Sequence, residues 1–308
     1  MNKAINGRPL LDFSLPIAGK LSLLPTVSHI LSEAVIRPAR PGDSETIAAL
    51  MRAGVSGAVR WITVMGSPHL ARYIADEMTA KRGDEYVVGT VQGQVIGMSS
   101  WQHTGTSLQL NHLYLASEVR GRGLGTALIL DGLQRVRRIE EQQLALDVFY
   151  DNPHARAWYR SWGMSPEHRV RWIQLPLPSL EHQETLGFTV SGLPESNERY
   201  LRYGFSQFTL STASATYQIG RLGHGLFRTR SGAILRDPAA LQGLTQIDPQ
   251  RQLLCIGSVE ETTELLPKAA KPIAESERLI ASCATVLKHL ESSLTRQRHI
   301  LQAVPVRL

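Results

Sequence analysis

The stretch that decides the fold runs from Leu108 to Gly163. It reads LQLNHLYLASEVRGRGLGTALILDGLQRVRR over 108–138, then LALDVFYDNPHARAWYRSWG over 144–163. Residues Leu108–Leu115 alternate as a strand does. Leu108, Leu110, His112 and Tyr114 are expected on one face, and Gln109, Asn111, Leu113 and Leu115 on the other. The chain then passes through Arg120, Gly121, Arg122, Gly123, Leu124, Gly125 and Thr126 into a helix expected over Gly125–Arg138. A strand that empties through glycines into a helix builds an anion seat. Glycine removes the Cβ atoms that would crowd a phosphate, and the first helical N–H groups lack intrahelical partners. The helix dipole adds positive character, and Arg120 and Arg122 add full charges. The stretch is read as a seat for a pyrophosphate.

Two common phosphate motifs do not fit. A P-loop needs lysine after its last glycine, and none follows here. A dinucleotide fingerprint counted from Gly121 and Gly123 needs a third glycine at 126, where Thr126 stands. What fits is Arg-x-x-Gly-x-Gly, as Arg120, Gly123 and Gly125. Downstream, the strand expected at Leu144–Tyr150 ends in the turn Asp151-Asn152-Pro153, and the helix expected at His154–Trp162 stops at Gly163. Asn152, Ala155, Tyr159 and Gly163 keep the order Asn-x-x-Ala, then Tyr-x-x-x-Gly, with Met164 where phenylalanine is usual. On these two motifs the region 34–178 resembles the GNAT superfamily of acyl-CoA N-acyltransferases.

That resemblance implies an α/β fold: a mixed, mostly antiparallel central sheet flanked by helices, with a carboxyl-terminal α+β extension. It implies acetyl-CoA as cosubstrate and a primary amine as acceptor. The pyrophosphate would be held by main-chain N–H groups of residues 120–126. Backbone groups near Tyr114 and Leu115, on a strand that bulges and parts from its neighbour, would bond the pantetheine arm and polarise the thioester. Asn152 would bond the pantetheine amide or cap the helix after it. Tyr159 matches the family's acid for the leaving thiolate. The base is the departure from the pattern. Its place on the strand falls at Asn111, which accepts no proton, so His112 is the candidate if a bulge turns it inward, with Glu118 and His103 as fallbacks. Trp61 and His69, in the variable helical segment 56–82, are candidates for acceptor contact. A catalytically silent acyl-CoA sensor is the competing function.

The rest of the chain is less specific. It has 308 residues, 43% hydrophobic and 19% charged, with a net charge of +6. That content supports a core and argues against disorder. The positive balance suits CoA and acidic ligands, and no basic run with interleaved aromatics marks a nucleic-acid face. Cys255 and Cys283 sit in no metal-ligand pattern and are expected as buried reduced thiols. No apolar run reaches membrane-spanning length, so a cytoplasmic protein is expected. Three parts are expected: an amino-terminal arm at 1–33, the acetyltransferase domain at 34–178, and an α+β region at 179–308. A hairpin is expected around Gln92-Gly93. Tyr200, Gly204 and Phe205 repeat the Tyr-x-x-x-Gly spacing, which raises the prospect of a degenerate second GNAT half. Residues 212–259 are similar to the closing part of flavin-dependent nitroreductases, but the half that supplies phosphate-binding arginines is not found, so FMN is not expected. An amphipathic helix is expected over 274–300, with Leu279, Cys283, Leu287, Leu290 and Leu294 packing on its own domain or, alternatively, on a second copy in a homodimer.

Overall fold

A computed structural model describes residues 33–179, 186–264 and 270–303. The expected amino-terminal arm lies outside the described residues apart from Glu33. The first half follows the order β1 (Val35–Pro38), α1 (Ser44–Ala53), α2 (Gly57–Trp61), α3 (Leu70–Ala80), β2 (Glu85–Val91), β3 (Gln94–Thr104), β4 (Ser107–Leu115), α4 (Leu124–Val136), β5 (Gln143–Phe149), α5 (Pro153–Arg160) and β6 (Ser165–Pro176). The second half gives β7 (Phe188–Ser191), α6 (Leu193–Tyr203), β8 (Phe205–Thr212), β9 (Thr216–Leu222), β10 (Leu226–Thr229), α7 (Pro238–Ile247), β11 (Gln252–Ser258), α8 (Val259–Glu264), β12 (Lys271–Ser282) and α9 (Cys283–Ala303).

All twelve strands join one sheet in the order β1-β2-β3-β4-β5-β12-β6-β11-β10-β9-β8-β7. Only β4–β5 and β10–β11 are parallel; the other neighbours run antiparallel. The order has a pseudo-twofold centre between β12 and β6. Each half runs inward to a parallel pair bridged by a helix, α4 on one side and α7 on the other. The halves then exchange their last strands: β6 of the first pairs with β11, and β12 of the second lies against β5. The chain leaves β6 at Pro176, and the sheet is continuous past the expected boundary at residue 178.

The hairpin around Gln92-Gly93 forms as expected, with φ of 49° and 79° suited to a tight two-residue turn. The carboxyl-terminal helix starts later than its apolar spacing suggests. Residues 271–282 are strand β12, paired on both edges, and the helix begins at Cys283. Leu279 from the strand and Cys283 and Leu290 from the helix enter the same core, so one stripe of spacing spans two kinds of element. Two ladders of hydrogen bonds outweigh local helical propensity there. The apolar face of α9, including Val286 and Leu290 at 0% exposure, packs on the core around α4. Burial of that size contributes ~1.5–3 kcal/mol per side chain. These members of the stripe pack in this chain's own core.

The recurrent Tyr200–Gly204 spacing closes α6, which precedes β8; Tyr159–Gly163 closes α5, which precedes β6. The two spacings therefore occupy different places in their halves. Residues 212–259, the stretch similar to nitroreductases, fold as β9, β10, α7 and β11, the counterpart of β3, β4, α4 and β5.

Candidate functional site

The parallel pair β4–β5 is joined only from Ser107–Gln143 to Leu110–Leu146. Beyond Leu110 the strands part while β4 continues to Leu115 and β5 to Phe149. The parting starts at a bulge. Ser100 of β3 faces His112 and Trp101 faces Leu110, which leaves Asn111 unpaired. One extra residue inverts the facing of everything after it. Leu110 accordingly packs with Leu113 and Leu115 in the core under α4, while Tyr114 packs in the core under α1 and α3. The sequence-based expectation that Leu110, His112 and Tyr114 share a face is therefore incorrect, and the bulge is the reason.

The same register sorts the main-chain groups. Ala116 N–H donates to Ile96 O, so Tyr114 also bonds β3, while Leu113 and Leu115 direct their N–H groups away from it, into the gap that β5 has left. The main-chain N–H groups turned into the gap are thus those of Leu113 and Leu115, whereas the backbone of Tyr114, expected there beside Leu115, is spent on β3 and only its side chain reaches the cavity.

A cavity of about 290 Å³ fills the gap, lined among others by Asn111, His112, Tyr114, Asp147, Asn152 and Tyr159. Burial holds the His112 imidazole below its ordinary value, against an opposing pull from Asp84, so it is neutral at pH 7. Burial raises the Tyr159 phenol well above its ordinary value and keeps its proton in place. Tyr114 stacks on His112 with 5.9 Å between ring centroids. Asn111 Nδ2 donates to Asp84 Oδ2 at 2.8 Å, and Ser100 Oγ donates to the same oxygen. Asn152 Oδ1 accepts from Ala155 N–H at 3.1 Å and caps α5, the second of its two expected roles.

Gly121 and Gly123 turn with φ of 70° and 83°, and Gly123 is the N-cap of α4. Helical bonding starts at Ala127 N–H, which donates to Gly123 O, so the amides of Leu124, Gly125 and Thr126 precede the ladder. Arg120 Nε donates to Leu115 O at 3.2 Å, tying the glycine turn to the end of β4. An anion at this helix start would sit beside the parted strands, with Tyr159 on α5 across the gap.

The fallback bases are elsewhere. His103 is clamped between Glu141, at 2.6 Å, and Glu85, at 2.9 Å, near the far end of β4. Glu118 is exposed in the turn after β4 and does not line the cavity. Trp61 faces a different hollow, beside Gly204 and His224, and His69 lines neither. Sequence reading missed Asp147, which lines the cavity from β5 and accepts from Gln109 Nε2 at 3.1 Å. The signal was present. Leu144, Leu146 and Val148 point one way along β5, which sets the lone charge in that apolar run on the opposite face.

Among its described residues the second half has no equivalent seat. Asp237 is the N-cap of α7; its Oδ1 accepts from Ala240 N–H at 3.1 Å, and its Oδ2 accepts from Thr212 Oγ1 at 2.6 Å and Tyr217 OH at 3.0 Å. A buried carboxylate already occupies the helix start where a phosphate would bind.

Comparison with known proteins agrees with this geometry. Residues 59–164 match the model of the acetyltransferase (GNAT) family. A comparison with curated proteins finds no match. Among solved structures, the chain is similar to a tandem GNAT protein from the clavulanic acid biosynthesis pathway. The TM-score is 0.55 at 12% identity, covering 82% of this chain and 99% of that one. It is also similar to a GCN5-related N-acetyltransferase from Sphaerobacter thermophilus, with a TM-score of 0.54 at 14% identity, covering 84% of this chain and 97% of the other. The fold is that of GNAT acetyltransferases, carried across both halves. Among the described residues no helix is long and apolar enough to cross a membrane.

Proposed function

With a GNAT-family domain in the first half as the premise, we propose that the chain is an acyl-CoA-dependent N-acyltransferase that transfers acetyl from acetyl-CoA to a primary amine. The observation that carries this reading is the gap between β4 and β5, with two main-chain N–H groups turned into it and a protonated Tyr159 and a neutral His112 on its walls. No cofactor is needed beyond the thioester. The amides at 124–126, with Arg120 and Arg122 beside them, fit the diphosphate of CoA.

Chemistry then follows from placement. The amine nitrogen attacks the thioester carbonyl carbon, and the developing oxyanion is stabilised by the Leu115 N–H. The amine proton passes to His112, which is neutral and so able to accept it. The C–S bond breaks, and Tyr159 protonates the departing thiolate. Asn152 orients the pantetheine amide through Nδ2, since its Oδ1 caps α5. A silent sensor of acyl-CoA is the second reading; it draws on Asn111, an amide where a carboxylate base would stand, engaged with Asp84.

Calorimetric titration with acetyl-CoA, followed by release of free CoA thiol across a panel of primary amines, tests both. The enzyme gives binding heat and amine-dependent thiol. Binding with no turnover on any amine selects the sensor, and absence of binding removes both.

A further inference from the structure

A second hollow of about 110 Å³ lies under α2, on the side of the sheet opposite α4. The two cavities share Ser56, Val59 and Asp151 in their linings, so they adjoin at the carboxyl end of β5. Past those shared residues the walls are Ile62 on the α2 side and Ile273, Ala274 and Glu275 of β12 on the other. The far wall therefore comes from the strand that the second half lends to the first.

Three features define what suits the channel. It is narrow and walled mainly by aliphatic groups, which favours an unbranched hydrocarbon chain. Glu275 is ion-paired with both Arg169, at 2.5 Å, and Arg171, at 2.9 Å, so it offers no free carboxylate to an ammonium group. Asp151 stands where the cavities meet and has no hydrogen-bond or ion-pair partner among the described residues, so a cation passing this point is attracted there.

We infer that the acceptor is a primary amine on a linear aliphatic chain, that the chain lies along this channel, and that Ile273 and Ala274 of β12 set its length. This rests on the acyltransferase reading above. The second half then acts as the acceptor wall of the first half's active site, which accounts for the retention of a half whose own helix start is filled by Asp237.

The test compares ethylamine with hexylamine under saturating acetyl-CoA, with acetyl-CoA affinity measured calorimetrically on each protein. The wild-type chain should prefer hexylamine by about tenfold or more in kcat/KM, since each added methylene meets an apolar wall. Ala274→Phe should cut that preference by about tenfold while still binding acetyl-CoA. Asp151→Asn, at an exposed position outside the sheet, should raise KM for both amines severalfold with acetyl-CoA affinity unaltered. No length preference in the wild type, an unchanged preference in Ala274→Phe, or an unchanged amine KM in Asp151→Asn each overturns the channel and leaves the acyltransferase reading standing. A protein that binds no acetyl-CoA refutes that reading, and the channel with it.

Discussion

At the scale of single residues, burial holds two groups of the candidate site in the protonation states that the proposed chemistry needs. Tyr159 is held protonated by burial, and its ring is wedged against Trp158 and Trp162, with centroids 5.5 and 5.0 Å away. Tyr159→Phe keeps that packing and deletes the proton. It should lower kcat by roughly 10²-fold, within the range for a lost general acid, with acetyl-CoA affinity changed less than about twofold. Steady-state kinetics paired with calorimetry reads this, and an unaltered kcat would remove Tyr159 as the acid. His103 offers a separate test, away from the chemistry. Burial disfavours its cation, but hydrogen bonds to Glu85 and Glu141 outweigh that and raise its pKa above the ordinary histidine value. A raised folded-state pKa means the clamp's contribution is complete below about pH 6.5 and fades as pH climbs through the raised value. The urea midpoint should therefore drop over that window relative to His103→Gln. Parallel profiles for the two proteins would show that the clamp contributes no such term.

At the scale of elements, helix α4 is held close to the sheet by a missing side chain. A Cβ on Gly132 would come within 2.5 Å of Trp101 Cζ2, and Trp101 is fully buried with its Nε1 donating to Ser99 Oγ. Helix propensity alone favours alanine over glycine by ~1 kcal/mol. Overpacking against an immobile indole costs about 1–3 kcal/mol and should win. Gly132→Ala is expected to lower stability in urea unfolding, and a gain would mean that α4 can lift off Trp101. The bulge at Asn111 matters at the same scale. It turns His112 into the cavity and Leu113 back toward α4, so a single extra residue both opens the gap and brings an imidazole to its wall.

At the scale of the whole molecule, the two halves share a topology but not a chemistry. Gly123 opens α4 with bare amides, whereas Asp237 fills the start of α7 with its own carboxylate. Calorimetry should therefore give one acetyl-CoA per chain. A stoichiometry of two would show that the second half binds it after all.

The sequence by itself determined the local grammar of the first half. Gly123 and Gly125, the turn at Asn152-Pro153 and the alternation along β4 each express a short-range steric or hydrogen-bonding demand, legible without neighbours. From them came the strand–glycine–helix seat, and the family resemblance they carry added the expected bulge and the proposal of Tyr159 as the acid. What only the tertiary structure decided was long-range. It made residues 271–282 a strand between β5 and β6, moved the start of α9 to Cys283, sent the Tyr114 amide to β3 and the Leu115 amide into the gap, and brought Asp147 to the cavity and Ala274 to the hollow beside it. Strand pairing depends on partners more than a hundred residues away, and a register is set by which chain arrives alongside, information that no local run of residues contains.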